Sequence, residues 1–197
     1  MKTKLTLLFF LVSPILLADG GGGYGTHCHV RDMDVTYNLY YHSVDGELAV
    51  PNKKGKEDVY DITSNISIYD ITTGKTSYLF PDTLKERISD FYFESHYDSL
   101  NQKMAFNHPE SEYYNTMENV VGNVNLKSRK PSDKLFIITY SYVSYQYTLW
   151  TAHKTGKELK RVHEFSDDDN FYFDVKNMAI RFVTQVEKRI EIKDIKY

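Results

Sequence analysis

Short runs of aromatic and β-branched residues recur along the chain, separated by clusters of Gly, Asp, Asn, Ser and Pro. That pattern predicts consecutive antiparallel strands. It is densest over the last third. Residues 135–140 predict a buried strand, and 145–151, 159–165, 171–173, 178–183 and 189–195 predict five more. The turns between them fall at His153-Lys154-Thr155-Gly156-Lys157, at Ser166-Asp167-Asp168-Asp169-Asn170 and over 174–177. Upstream, Val35, Tyr37, Leu39 and Tyr41 alternate, and Asp45-Gly46 is a turn signal between two strand-like runs, so 33–50 predicts a β-hairpin. Residues 51–58 (PNKKGKED) predict a polar loop. A second hairpin is expected over 59–80, turning at Thr72-Thr73-Gly74-Lys75. Pro81-Asp82 then opens TLKERI, which predicts one or two helical turns with Asp82 as N-cap. Phe91-Tyr92-Phe93 and Lys103-Met104-Ala105-Phe106 are the next strands, joined through 98–101. Over 108–132 the pattern weakens to a long surface excursion with one helical turn, the kind of loop that often carries binding.

Two stretches share an order of parts. Each runs through a strand, a Thr-Gly-Lys turn, a strand, a Phe-Tyr-Phe strand, an Asp-x-x-Asn turn and a strand containing Met-Ala. Gly74 and Gly156, the glycines of the two Thr-Gly-Lys turns, stand 82 residues apart, whereas a propeller blade takes roughly 40–50. Over 65–106 and 147–195 this unit resembles the four-stranded blade of TolB-like and WD-type β-propellers. The resemblance implies antiparallel sheets packed face to face. A closed propeller usually needs about four blades or more, and this chain has material for two or three. The expected fold is therefore all-β. It is either a β-sandwich or a two-blade partial propeller completed by oligomerisation, built from degenerate repeats at about 59–107 and 134–197. The sandwich is preferred, as a single domain over 31–197.

The start of the chain reads MKTKLTLLFFLVSPILLA, with Lys2 and Lys4 ahead of an apolar run from Leu5 to Leu17. That run is shorter than the roughly 20 residues of a membrane span, and it fits a secretory signal peptide over 1–18 ending at Ala18. The mature chain is expected to be exported, periplasmic or secreted, with no stable membrane insertion. A glycine-rich flexible segment follows over 19–30. Loss of Lys2 and Lys4 takes the formal charge from −3 to −5, which argues against a nucleic-acid partner. Cys28 is the only cysteine, so no intrachain disulfide can form and the core alone must hold an exported fold.

Candidate chemistry is sparse. His27, Cys28 and His29 are metal-ligand types, but neighbours in an extended chain point to opposite faces and converge only if the backbone turns. Asp167-Asp168-Asp169-Asn170 offers oxygen atoms to calcium, yet lacks the glycine and distal glutamate of the twelve-residue loop and reads as a turn. No nucleophile elbow, zinc-helix motif, phosphate loop or dinucleotide fingerprint is present, and no cofactor is expected. Tyrosine is the outlier, 17 in 197 residues. Its apolar body and hydrogen-bonding tip suit recognition, although β-sheets favour tyrosine in any case. Tyr113, Tyr114, Tyr142, Tyr145 and Tyr147 are the candidate partner-binding residues. The sequence thus predicts an exported, non-enzymatic protein-binding module, by type an immunity protein that blocks a toxin. The alternative is an envelope hydrolase acting on cell-wall or surface glycans.

Overall fold

The computed structural model describes residues 28–82, 84–98, 103–107 and 130–197. Twelve strands and no helix occur among them. The first sheet is a meander of β1 (Arg31–Asp34), β2 (Leu39–Pro51), β3 (Glu57–Asp70) and β4 (Lys75–Tyr78). The second contains β5 (Arg87–Asp98), β6 (Lys103–Phe106), β7 (Lys134–Ser141), β8 (Gln146–His153) and β9 (Lys160–Phe165), in the order β6-β5-β7-β8-β9. The third is β10 (Asp169–Asp174), β11 (Ala179–Val186) and β12 (Arg189–Lys196). Among the described residues every pairing is antiparallel, and no sheet closes into a barrel.

The side-chain alternation of β7 sets the layering. Leu135 and Ile137 pack into a core with Leu39, Tyr41, Ile66 and Ile68 of the first sheet. Phe136 and Ile138, pointing the other way, pack with Phe173, Ile180 and Phe182 of the third. The five-stranded sheet is therefore a central layer covered on both faces. A strand in that position must be apolar throughout, which is why β7 reads Leu-Phe-Ile-Ile without alternation. The sandwich has three layers, where two repeats had implied two. Each repeat copy spans two sheets: β3-β4 and β5-β6 in one copy, β8-β9 and β10-β11 in the other.

Four hairpins share one turn. Asp34 Oδ1 accepts from the backbone N–H of Thr36 and Tyr37, Asp70 Oδ1 from Thr72 and Thr73, Ser141 Oγ from Val143 and Ser144, and Asp174 Oδ1 from Asn177. Four residues after each acceptor, Asn38, Gly74, Tyr145 and Met178 sit at φ of 53°, 67°, 57° and 48°. This is side-chain turn chemistry closed by a left-handed residue. It corrects the expected first hairpin: residues 35–38 are the turn and Asp45-Gly46 lies inside β2. A register shift at Val44/Asp45 marks a bulge there. Glycine serves close approach at that point, since a Cβ on Gly46 would meet Ser64 Oγ at 2.8 Å. The polar loop expected at 51–58 is the actual β2–β3 turn. No helix follows Asp82 either. Among the described residues, 81, 82, 85 and 86 are bends and Leu84 is irregular, and Arg87 and Ile88 already belong to β5, where Ile88 joins the first core. Most of the excursion at 108–132 lies outside the described residues.

A buried polar spine crosses the layers. Lys154, on the loop after β8, and Asp34, at the end of β1, both have fully buried side chains, with Lys154 Nζ 2.5 Å from Asp34 Oδ2. Lys154 Nζ also donates to the Glu94 carbonyl at 2.7 Å, and Tyr41 O–H donates to the Lys154 carbonyl at 3.0 Å. The Glu94 side chain points to the opposite core, where its carboxylate accepts from Tyr197 O–H at 2.8 Å and from the Ser132 backbone N–H at 2.7 Å. One linked set of polar groups thus joins the first, second and third sheets. Removing one member of a buried charge pair strands the other in an apolar medium and costs about 3–5 kcal/mol. Asp34→Ala and Lys154→Met should each lower the unfolding free energy by about that amount in denaturant titration, whereas Arg161→Ala, which removes the exposed pair with Glu164 and a long hydrogen bond to Thr148, should change it by under ~1 kcal/mol.

Candidate functional site

The β7–β8 turn forms one end of the central sheet, and an aromatic band runs beneath it. Tyr60 of β3 stacks on Tyr142 with ring centroids 4.5 Å apart and planes 17° apart. Tyr142 meets Tyr140 edge-on at 5.2 Å, Tyr140 lies 4.8 Å from Tyr147, and Tyr147 stacks on Phe165 at 5.3 Å. Phe165 continues the band to Phe171 and Phe182 of the third sheet. The band therefore joins all three layers. It exists because Tyr140 and Tyr147 are cross-strand partners, while the long β2–β3 hairpin brings Tyr60 over Tyr142.

Arg87, from the start of β5, lies against this band. Its guanidinium carbon is 5.1 Å from the Tyr140 centroid and 5.6 Å from that of Tyr142, within cation–π reach. No carboxylate among the described residues pairs with it. Its Nε and the nearby Tyr142 hydroxyl are both buried without a hydrogen-bond partner among those residues. The Asp167 carboxylate also lies close to Tyr140 and Tyr147. Burial and that carboxylate push the Tyr147 phenol up to about 12, and the same two causes raise Tyr140.

Above the band the turn itself is bare. Val143 is 76% exposed and Tyr145 is 66% exposed. A groove of about 390 Å³ adjoins it, lined by Leu84, Lys85, Glu86, Ser141, Val143, Trp150 and Arg161. The Trp150 indole N–H donates to Thr139 Oγ1 at 3.0 Å, and the Thr139 hydroxyl donates to Glu86 Oε2 at 2.5 Å, so the indole is held in orientation. Glu86 is the only carboxylate among those lining residues.

Of the residues singled out from sequence, Tyr142, Tyr145 and Tyr147 come together here. Tyr142 and Tyr147 are half-buried parts of the band, and Tyr145 alone projects. Tyr113, Tyr114 and His27 lie outside the described residues. Cys28 is buried in the first core and His29 is exposed, on opposite faces as the extended backbone requires. No group of three or more metal-ligating side chains converges among the described residues. In the Asp167-Asp168-Asp169 run, Asp169 accepts from the Ser166 backbone N–H and hydroxyl and from the Thr184 hydroxyl, so its carboxylate fastens a turn. Arg87, Tyr60 and Trp150 carry no such mark in the sequence. They come from separate elements, and nothing in their local spacing sets them apart.

No family model matches this chain, and no curated protein or solved structure matches it either.

The phenol groups give a pH test. A phenol raised in the folded state stabilises the fold fully below the unfolded value of about 10, and that stabilisation is lost as pH rises through the folded value. Stability should therefore fall between about pH 10 and 12, with Tyr147 and the buried Tyr41, also raised, ionising after the exposed tyrosines. Tyr147→Phe should flatten part of that fall, read by denaturation at each pH alongside phenolate absorbance.

Proposed function

We propose that this chain is an exported protein-binding module which meets its partner at the end of the sheet stack bearing Tyr142, Tyr145 and Tyr147. The observation that carries this reading is the state of Tyr145. It occupies a left-handed turn position that Gly74 fills in the equivalent β3–β4 hairpin, at a cost of roughly 1–2 kcal/mol for a residue with a Cβ. Its ring makes little use of the fold, being 66% exposed. A bulky aromatic residue kept in a disfavoured conformation and left in solvent fits a contact residue better than a scaffold residue. Its surroundings fit as well. Tyr and Arg dominate the energetics of protein interfaces, and here a tyrosine band carries an arginine with no acidic partner of its own among the described residues.

The partner is then a protein with an apolar patch for Val143 and Tyr145 and an acidic group for Arg87. An immunity-type role, in which this face occludes the active site of a toxin, is the specific form we favour for an exported chain of this size. The glycan hydrolase reading has less support. General acid–base cleavage of a glycosidic bond uses a pair of carboxyl groups, and the groove presents Glu86 alone, already bonded to Thr139.

Affinity capture from envelope extracts of the source should retain one stoichiometric partner on the wild-type protein. Tyr145→Gly should weaken that capture by about tenfold or more while leaving the fold as stable or up to ~1–2 kcal/mol more so. Undiminished capture by Tyr145→Gly would contradict the placement of the face. Cleavage of cell-wall glycan that Glu86→Gln abolishes would contradict the class.

A further inference from the structure

We propose that Asp34 and Lys154 condense within the folded chain into an intramolecular isopeptide bond. The two groups are in close contact, and Asp34 Oδ2 is not tied up in a hydrogen bond among the described residues. Lys154 Nζ stands 2.5 Å from Asp34 Oδ2, with both side chains fully buried. Near-attack pairs stand about 3–3.5 Å apart, and Cγ lies one bond beyond Oδ2. The walls are aromatic. Nζ is 5.3 Å from the Phe93 centroid and 5.6 Å from that of Tyr37, and Tyr41 closes the same pocket through its hydrogen bond to the Lys154 carbonyl. Isolated charges in such a medium are costly, and passing one proton from the ammonium to Oδ2 abolishes both. In the proposed reaction that transfer is the first step, and it frees the Nζ lone pair.

The remaining polar atoms are placed for the condensation. The Nζ lone pair attacks Cγ, and negative charge develops on Oδ1. That oxygen already accepts from the backbone N–H groups of Thr36 at 2.8 Å and Tyr37 at 3.2 Å, two fixed donors of the kind that stabilise a tetrahedral intermediate. The N–Cγ bond forms and the Cγ–Oδ2 bond breaks. Oδ2 departs as water, carrying the proton it first received and a second from Nζ. Nitrogen keeps one hydrogen. No oxidant or co-reactant enters, and one water leaves.

The product suits the pocket better than the ion pair does. Its single N–H can donate to the Glu94 carbonyl, already 2.7 Å from Nζ. Its carbonyl keeps the two donors of the Asp34 turn, and no charge remains. The link would tie the end of β1 to the loop after β8, joining the first two sheets across most of the chain. A chain with a single cysteine has no intrachain disulfide to do this.

The test is the intact mass of the full mature protein, purified, denatured and reduced, with a tryptic map of the same sample. The proposal expects a mass lower than the sequence by one water. It also expects a branched peptide joining the segments around Asp34 and Lys154, and no tryptic cut after Lys154. Lys154→Arg should restore the full sequence mass, which separates the link from dehydration elsewhere in the chain. A wild-type mass equal to its sequence, with cleavage after Lys154, overturns the proposal and does so whether or not any variant folds.

Discussion

A buried lysine–aspartate contact with no access to water sets the terms for the rest of this structure. Lys154 and Asp34 sit between the first and second sheets with both side chains fully buried. Groups of this kind are tolerated only when every neighbour is fixed to satisfy them. Asp34 is fixed by the turn it caps, through Thr36 and Tyr37. Lys154 is fixed by its own backbone, which donates to the Asp133 carbonyl at 2.8 Å and accepts from Tyr41. The turn after β8 must therefore end where β1 ends. Gly156 in that turn has φ of 81°, and a Cβ there would meet Ile68 Cδ1 at 2.7 Å, so the first sheet sits directly against it. The contact leaves no room for one sheet to slide over the other, and it holds the layers in register.

The second interface uses a different device. Glu94 faces the third sheet and takes Tyr197 and the Ser132 backbone, while its carbonyl faces the first sheet and takes Lys154. One residue of β5 thus serves both sides of the central layer. Asn107 supports it from the neighbouring edge. Its buried side chain donates to the Phe91 carbonyl at 2.7 Å and accepts from the Phe93 N–H at 2.8 Å, beside the register shift at Glu94/His96. The aromatic band at the opposite end of β7 contributes dispersion in place of charge. That leaves the β7–β8 turn supported from below and open above.

What could be read from sequence was local. The doubly buried β7 announced itself by apolar residues at consecutive positions, and the Thr-Gly-Lys turns and the Asp-x-x-Asn turn at 174–177 by their turn residues, while the turn expected at 98–101 lies mostly outside the described residues. Asp45-Gly46 misled because the same dipeptide serves a hairpin turn and a bulge, and only the contact with Ser64 decides between them. TLKERI misled because helix propensity in six residues is weaker than the burial of Ile88 against the first core. The tyrosine cluster of the β7–β8 region was visible as composition, but Arg87 and Tyr60 join it only through tertiary pairing. Lys154 was legible only as a turn residue. No periodicity relates a lysine in one turn to an aspartate in another so far away in the chain, and this buried contact left no local mark.

The central claim is that this polar spine makes the three sheets one cooperative unit. Native-state amide hydrogen exchange tests it most directly, by comparing the Thr36, Tyr37, Ser132 and Tyr197 amides with those of Phe136, Ile137 and Ile138 in β7. The account predicts that all seven exchange only by global unfolding, with the same protection and the same denaturant dependence. Exchange of Thr36 and Tyr37, or of Tyr197, through a lower-energy opening while β7 stays protected would show that the outer sheets detach independently, and would contradict it.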